Sequence, residues 1–242
     1  MTQSNTGHEV LIAVGQVRAV GRSATPALHV LLWQHALGPA AGRWALPGGE
    51  VRDDEDLATS ATRQLAEKVD VRSLSHLESV AEFSHPARVP GRRVFASGFL
   101  GLLPSDADPD IPGDTAWFRV DALPGTAFDH AEIVARARSR LAAKLSYSTL
   151  GFALAPEEFT LSALAQHYAA ALGHPVDPTN LQRILTRRGE LVRCGRRAPT
   201  GPSGGRPAAL YRFAERRLRI TDQFATLRPP ADDGRSPDRT TR

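Results

Sequence analysis

Cysteine is almost missing from this chain: Cys194 is the only one in 242 residues. No disulfide can close within the chain, and no Cys/His cluster has the spacing of a structural zinc site. No stretch approaches the roughly eighteen apolar residues of a membrane span, and Met1 to Gly7 lacks the basic and apolar regions of a secretion signal. These absences exclude a disulfide-stapled secreted scaffold and a membrane-embedded protein, and they predict a cytoplasmic location. Lysine is nearly absent as well, with only Lys68 and Lys144. Positive charge therefore rests on arginine, which codon composition alone can favour. The length suits one large domain or two modest ones, each burying its own core.

The net charge of +4 hides a division. Residues 1–175 carry 15 Lys+Arg and 19 Asp+Glu (−4), and residues 176–242 carry 15 and 7 (+8), which together give the overall +4. A basic carboxyl-terminal quarter suggests a partner with phosphates. Along the first part, Val10–Val20, Ala27–Trp33, Leu77–Ser84, Arg93–Leu103 and Ala116–Val120 read as strands. They predict an α/β (α+β) fold with a mixed sheet flanked by helices. Asp129 to Lys144 reads as a helix, with Asp129 as N-cap and Glu132 as its capping-box partner. Ser146 to Pro156 reads as a hinge into a second domain.

Between the strands, Trp44-Ala45-Leu46-Pro47-Gly48-Gly49-Glu50 runs into a segment ending at Val71 that resembles the Nudix box, G-x5-E-x7-R-E-U-x-E-E-x-G-U. Gly49, Glu55, Arg63, Leu65, Glu67 and Val71 fall on the pattern; Gln64, Lys68 and Asp70 depart from it. The Glu-to-Gln and Glu-to-Lys changes leave the acidic cluster about three charge units less negative, so its hold on a divalent cation is damaged. Gln64, Glu67 and Lys68, at i, i+3 and i+4, should share one helix face, with Leu57, Ala61, Leu65 and Val69 on the core face. In this family Glu55 and Arg63 brace the loop. The resemblance implies ligand contacts from Gly48, Gly49, Glu50, Glu67 and Lys68. Metal binding is left to Glu67 alone, weakly if at all; Mg2+ is doubtful and no cofactor is required. Arg88, Arg92 and Arg93 lie in a loop that either reaches a ligand phosphate, with Arg92 the candidate contact, or is solvated.

Ahead of the basic quarter Thr160 caps a helix that Gly173 ends, and within it Asp177-Pro178 opens a second that Gly189 closes. This is a helix-turn-helix. Leu181, Ile184 and Leu185 face inward. Thr179, Asn180, Gln182, Arg183, Thr186, Arg187 and Arg188 supply the hydrogen-bonding and cationic side chains of a major-groove reader. Leu191 to Arg197 and Ala209 to Phe213 then flank a loop with three Gly and three Pro. This is a wing that carries Arg193, Arg196, Arg197 and Arg206 toward phosphates.

A degenerate Nudix box followed by a winged helix resembles the Nudix-related transcriptional regulators of NAD metabolism, NrtR. Further marks are Phe128-Asp129-His130-Ala131-Glu132, Glu158-Phe159-Thr160-Leu161 and Gly205-Arg206-Pro207-Ala208. The expected organisation is a disordered start (1–8), a Nudix-like sensing domain (9–150), a winged helix-turn-helix (151–225) and a disordered tail (226–242). The resemblance implies a homodimeric repressor on a palindromic, double-stranded operator of NAD biosynthesis or salvage genes, released by ADP-ribose or a related nucleotide. It implies no catalysis beyond a weak residual ADP-ribose pyrophosphatase activity. The competing reading is a Mg-dependent Nudix hydrolase of a nucleoside diphosphate derivative with an accessory carboxyl-terminal domain.

Overall fold

The computed structural model describes residues 6–20, 25–34, 40–199 and 207–221. Its central strand, β1 (Gly7–Arg18), runs parallel to β6 (Val94–Leu102) along one edge. The other edge is shared between β4 (Gly48–Glu50) and β2 (Ala27–Gln34), both antiparallel. β3 (Trp44–Ala45) and β7 (Thr115–Arg119) pair with β2, and β5 (His76–Phe83) closes the far side against β6. The mixed sheet matches the sequence expectation. β1 starts earlier than its composition suggests, because Gly7 N–H reaches Arg93 O at 2.9 Å and Gly7 pairs with Val94. Gly7 and His8 thus belong to the sheet, not to a disordered start; residues 1–5 lie outside the described residues. A partner strand has overridden weak strand propensity.

Alternation along β1 sorts its side chains to two faces. Val10, Ile12 and Val14 meet Ala61, Leu65 and Val69 of α1 (Leu57–Val69). Leu11 and Ala13 join a second core built by α2 (His130–Tyr147) and α3 (Leu161–Leu172). That second core runs without a break into the winged helix, through Leu150, Phe152, Leu154, Tyr168, Leu181 and Phe213. Ser146–Pro156 is therefore not a hinge. It holds the end of α2 and a short 3-10 helix, Leu150–Ala153, whose residues are buried. The segment after the wing returns to the same seam: Thr149 Oγ1 donates to Arg217 O at 2.7 Å and Thr221 N–H reaches Tyr147 O at 2.8 Å. A sequence window of a dozen residues reads as a linker when the surface that buries it comes from far along the chain.

The helix ends follow local chemistry. Thr160 Oγ1 accepts from Ala163 N–H at 3.2 Å, and Gly173, φ 82°, ends α3. Asp177 accepts from Asn180 N–H at 2.7 Å and Pro178 opens α4 (Pro178–Arg187). β8 (Leu191–Arg197) and β9 (Ala209–Phe213) form the wing's two strands. No described helix is long and apolar enough to cross a membrane.

Candidate functional sites

The box begins where β4 lies against β1. A Cβ on Gly48 would stand 2.0 Å from Val10 O, so backbone contact demands glycine there. Asp56 then caps α1, its Oδ1 accepting from Thr59 N–H at 2.7 Å. The sequence reading passed over this cap. Arg63 donates through Nε to Glu55 Oε2 at 2.8 Å and through Nη2 to Glu55 Oε1, and it reaches Glu50 O at 3.2 Å. The Arg63 hydrogen bonds hold the Glu55 carboxyl down to about 2, and Glu55 in turn raises the guanidinium's pKa. The pair ties the loop to the helix, the bracing contact expected of it.

The three side chains expected on one helix face separate. Gln64 is 5% exposed and packs against Gly49, with Nε2 donating to Glu50 O at 3.3 Å. Lys68 Nζ sits 4.4 Å from the centroid of the Trp33 ring, a cation–π contact. Glu67 points outward to Arg63 Nη1 at 3.1 Å and Arg52 Nη2 at 3.4 Å. The 40° offset of i and i+4 keeps Gln64 and Lys68 together, whereas Glu67 falls on the neighbouring stripe. This donor set does not fit a divalent metal: two arginines face Glu67, and among the described residues no group of three or more His, Cys, Asp or Glu is placed to hold an ion.

Beside the box, the loop between β5 and β6 carries three arginines with different fates. Arg88 neither reaches out nor is solvated. Its side chain is 1% exposed, bonded to Asp129 through Nε at 2.9 Å and Nη2 at 2.8 Å, and to Glu9 through Nη1 at 2.7 Å. Asp129 is thus not the capping-box residue of α2; it makes no side-chain cap, and the neighbouring Glu132 is exposed, facing Arg136 at 3.7 Å. A bidentate buried guanidinium outcompetes a terminal N–H for the same carboxylate. Arg92 is exposed and paired with Glu50 at 2.7 Å; Arg93 stacks on Phe95 at 4.5 Å. His130 Nδ1, buried, accepts from Leu46 N–H at 2.9 Å, which fixes the approach to Gly48 against the start of α2.

In the carboxyl-terminal part, α4 buries Leu181, Ile184 and Leu185 and exposes Thr179, Asn180, Arg183, Thr186 and Arg187. Arg183 donates to Asn180 Oδ1 at 2.8 Å. Gln182 is half-buried and its Nε2 reaches the Tyr211 hydroxyl at 3.3 Å, joining helix to wing. Arg188 departs from expectation: its side chain is 5% exposed, donating to Ser146 O at 2.9 Å and facing Glu190 at 3.8 Å. It lies in the domain seam, away from the exposed face. On the wing, Arg193 is exposed, Arg196 pairs with Glu158, and Arg197 donates to Pro207 O at 2.9 Å. Arg206 lies outside the described residues, as does the tail beyond Thr221.

A Nudix-type sheet and box joined to a winged helix with a cationic exposed face define a Nudix-related DNA-binding protein. The comparisons agree with that class. The profile described as NUDIX domain matches residues 13–137, and that described as NrtR DNA-binding winged helix domain matches residues 151–213. The "ADPR responsive transcriptional repressor NtrR" of Acinetobacter baylyi is 34% identical over 197 residues, 77% of this chain and 76% of that protein. The crystal structure of Shewanella oneidensis NrtR has 27% identity and a TM-score of 0.71, covering 91% of this chain and 98% of that one. The same protein complexed with a 27mer DNA has 28% identity and a TM-score of 0.69, over 85% and 92% of the two chains. The chain belongs to the NrtR family.

Proposed function

We propose that this protein is a cytoplasmic, homodimeric transcriptional repressor of NAD biosynthesis or salvage genes that binds a palindromic operator and is released by ADP-ribose. The observation that carries the reading is the joining of two surfaces in one chain. A box loop braced by Glu55–Arg63 has exchanged its metal-binding acids for a buried Gln64 and a Trp33-bound Lys68. A recognition helix turns Asn180, Arg183, Thr186 and Arg187 outward. The relatives support it, one named as responsive to ADPR and the other solved on DNA.

Chemically, a receptor must release its ligand unchanged, and this donor set polarises no phosphorus. The exposed Arg92–Glu50 pair is exchangeable: a diphosphate entering over Gly48 and Gly49 would replace the Glu50 carboxylate on the guanidinium. Release follows if the ligand favours a dimer geometry whose two recognition helices no longer match one turn of duplex. Lys68, committed to Trp33, reaches the ligand only by giving up that ring.

The test is duplex binding, operator against scrambled, at two salt concentrations with and without ADP-ribose, alongside AMP release in Mg2+. Neutralising about six phosphates gives a log–log salt slope near −5. Sequence-blind or salt-insensitive binding refutes the repressor; fast metal-dependent AMP release promotes the hydrolase.

A further inference from the structure

Phe128 combines a strained backbone with an exposed ring whose one described aromatic neighbour is His130, 6.0 Å between centroids. Its φ is 44°, in the left-handed region, where a bulky side chain is a strained outlier. The only other described non-glycine residue there is Asp70, which caps α1 and whose short polar side chain tolerates the conformation. Phe128 is also 37% exposed, one of few large apolar side chains so displayed among the described residues.

The backbone on both sides is over-determined. Ala127 N–H is bonded to Trp44 O at 2.8 Å and His130 N–H to Ala127 O at 3.1 Å. Asp129 is gripped by buried Arg88, and the His130 ring accepts from Leu46 N–H. These are anchors to the box region. Leu46 leads into Gly48, and Arg88 reaches Glu9, the register partner of Glu50. Strain held this way on an exposed side chain marks a functional position. Through Asp129, Arg88 and Glu9 this segment is joined to the strand pair that carries Glu50 and its partner Arg92, which suits a ligand carrying both an aromatic face and phosphates.

We propose that Phe128 is the stacking platform for the base of the nucleotide bound beside the box. The diphosphate lies toward Arg92 and the heterocycle over the ring. Stacking of this kind tolerates any base, because every base offers a π-face. The proposal rests on the ADP-ribose reading above and adds the residue that holds the base.

The experiment titrates the full-length protein with ADP-ribose and, in parallel, with ribose 5-phosphate, which lacks the base. Phe128→Ala and Phe128→Gly should weaken ADP-ribose binding by about tenfold to a hundredfold, Phe128→Trp should retain it, and ribose 5-phosphate affinity should not change. Phe128→Gly removes the strain that Phe128→Ala keeps and should melt higher than that variant, so equal losses of affinity in the two separate lost stacking from lost folding. Unchanged ADP-ribose affinity in both truncations overturns the proposal and leaves the effector reading standing; a shift in oligomeric state with that unchanged affinity identifies a subunit contact and also overturns it. A wild-type protein that binds ribose 5-phosphate but not ADP-ribose, or neither, overturns the effector reading and this proposal together.

Discussion

Removing Arg88 should cost more than any other single truncation of a charged side chain in the described residues. Its guanidinium is 1% exposed and bridges Glu9 and Asp129, whose side chains are 21% and 19% exposed, through three hydrogen bonds of 2.7–2.9 Å. Arg88→Met deletes the cation and leaves two largely buried carboxylates facing each other. Breaking a buried pair from one side costs about 3–5 kcal/mol, because the remaining charge stays desolvated. At this chain length each kcal/mol moves the melting temperature by about 2–4 °C, so a fall of roughly 6–20 °C is expected. Arg88→Lys should recover little, since an ammonium lacks the planar fork that pairs bidentately with Asp129 while also reaching Glu9. The diagnostic variant is the triple Glu9→Gln, Arg88→Met, Asp129→Asn, which removes all three charges and should regain most of the loss. Thermal unfolding followed by circular dichroism reads all of these. Arg88→Met within about 1 kcal/mol of wild type, or a triple variant no better than the single, refutes the claim that charge burial governs this loop.

The remaining expectations concern the box and the seam. Arg183→Ala should weaken operator binding by about 1–3 kcal/mol with stability unchanged, whereas Arg188→Ala should lower the melting temperature without relaxing sequence preference; competition binding and melting curves on the same preparations separate the two. Burial pushes the Glu190 carboxyl above its ordinary 4.5. The folded state therefore holds that proton more tightly than the unfolded chain, and the associated stability is full below that ordinary value and lost as pH rises through the raised one. Glu190→Gln should flatten that pH dependence, which unfolding curves at several pH values will register, while leaving the buried Arg188 guanidinium without its carboxylate. Gly48→Ala puts a methyl 2.0 Å from Val10 O and should cost at least the upper end of about 1–3 kcal/mol for overpacking; an unaltered melting point contradicts the backbone contact.

What was legible in the sequence was local. The caps at Thr160 and Asp177 and the core stripe Ala61, Leu65 and Val69 depend on neighbours a few residues away, the two wing strands on each other, and the fold has them as read. Where the fold departs from the sequence expectation, the cause is the opposite. Asp129 reads locally as a cap of its own helix, but its partner lies 41 residues earlier. Arg188 looks like part of a basic face, but it donates a hydrogen bond to the carbonyl of Ser146, 42 residues before it. Trp33 beneath Lys68 had no local signal either, because the fold alone brings β2 against α1.

The unbroken core has a consequence for how this protein can be taken apart. Leu141, Leu145 and Leu150 on one side and Leu164, Tyr168 and Phe213 on the other are walls of one apolar interior. The DNA-reading module is therefore not a cassette that can be lifted out and spliced elsewhere. A fragment beginning at Gly151 would carry half an interior into water and should aggregate, while the intact chain should melt in one cooperative step. Sensor and reader are not two devices linked by a tether; they are two surfaces of a single folded object.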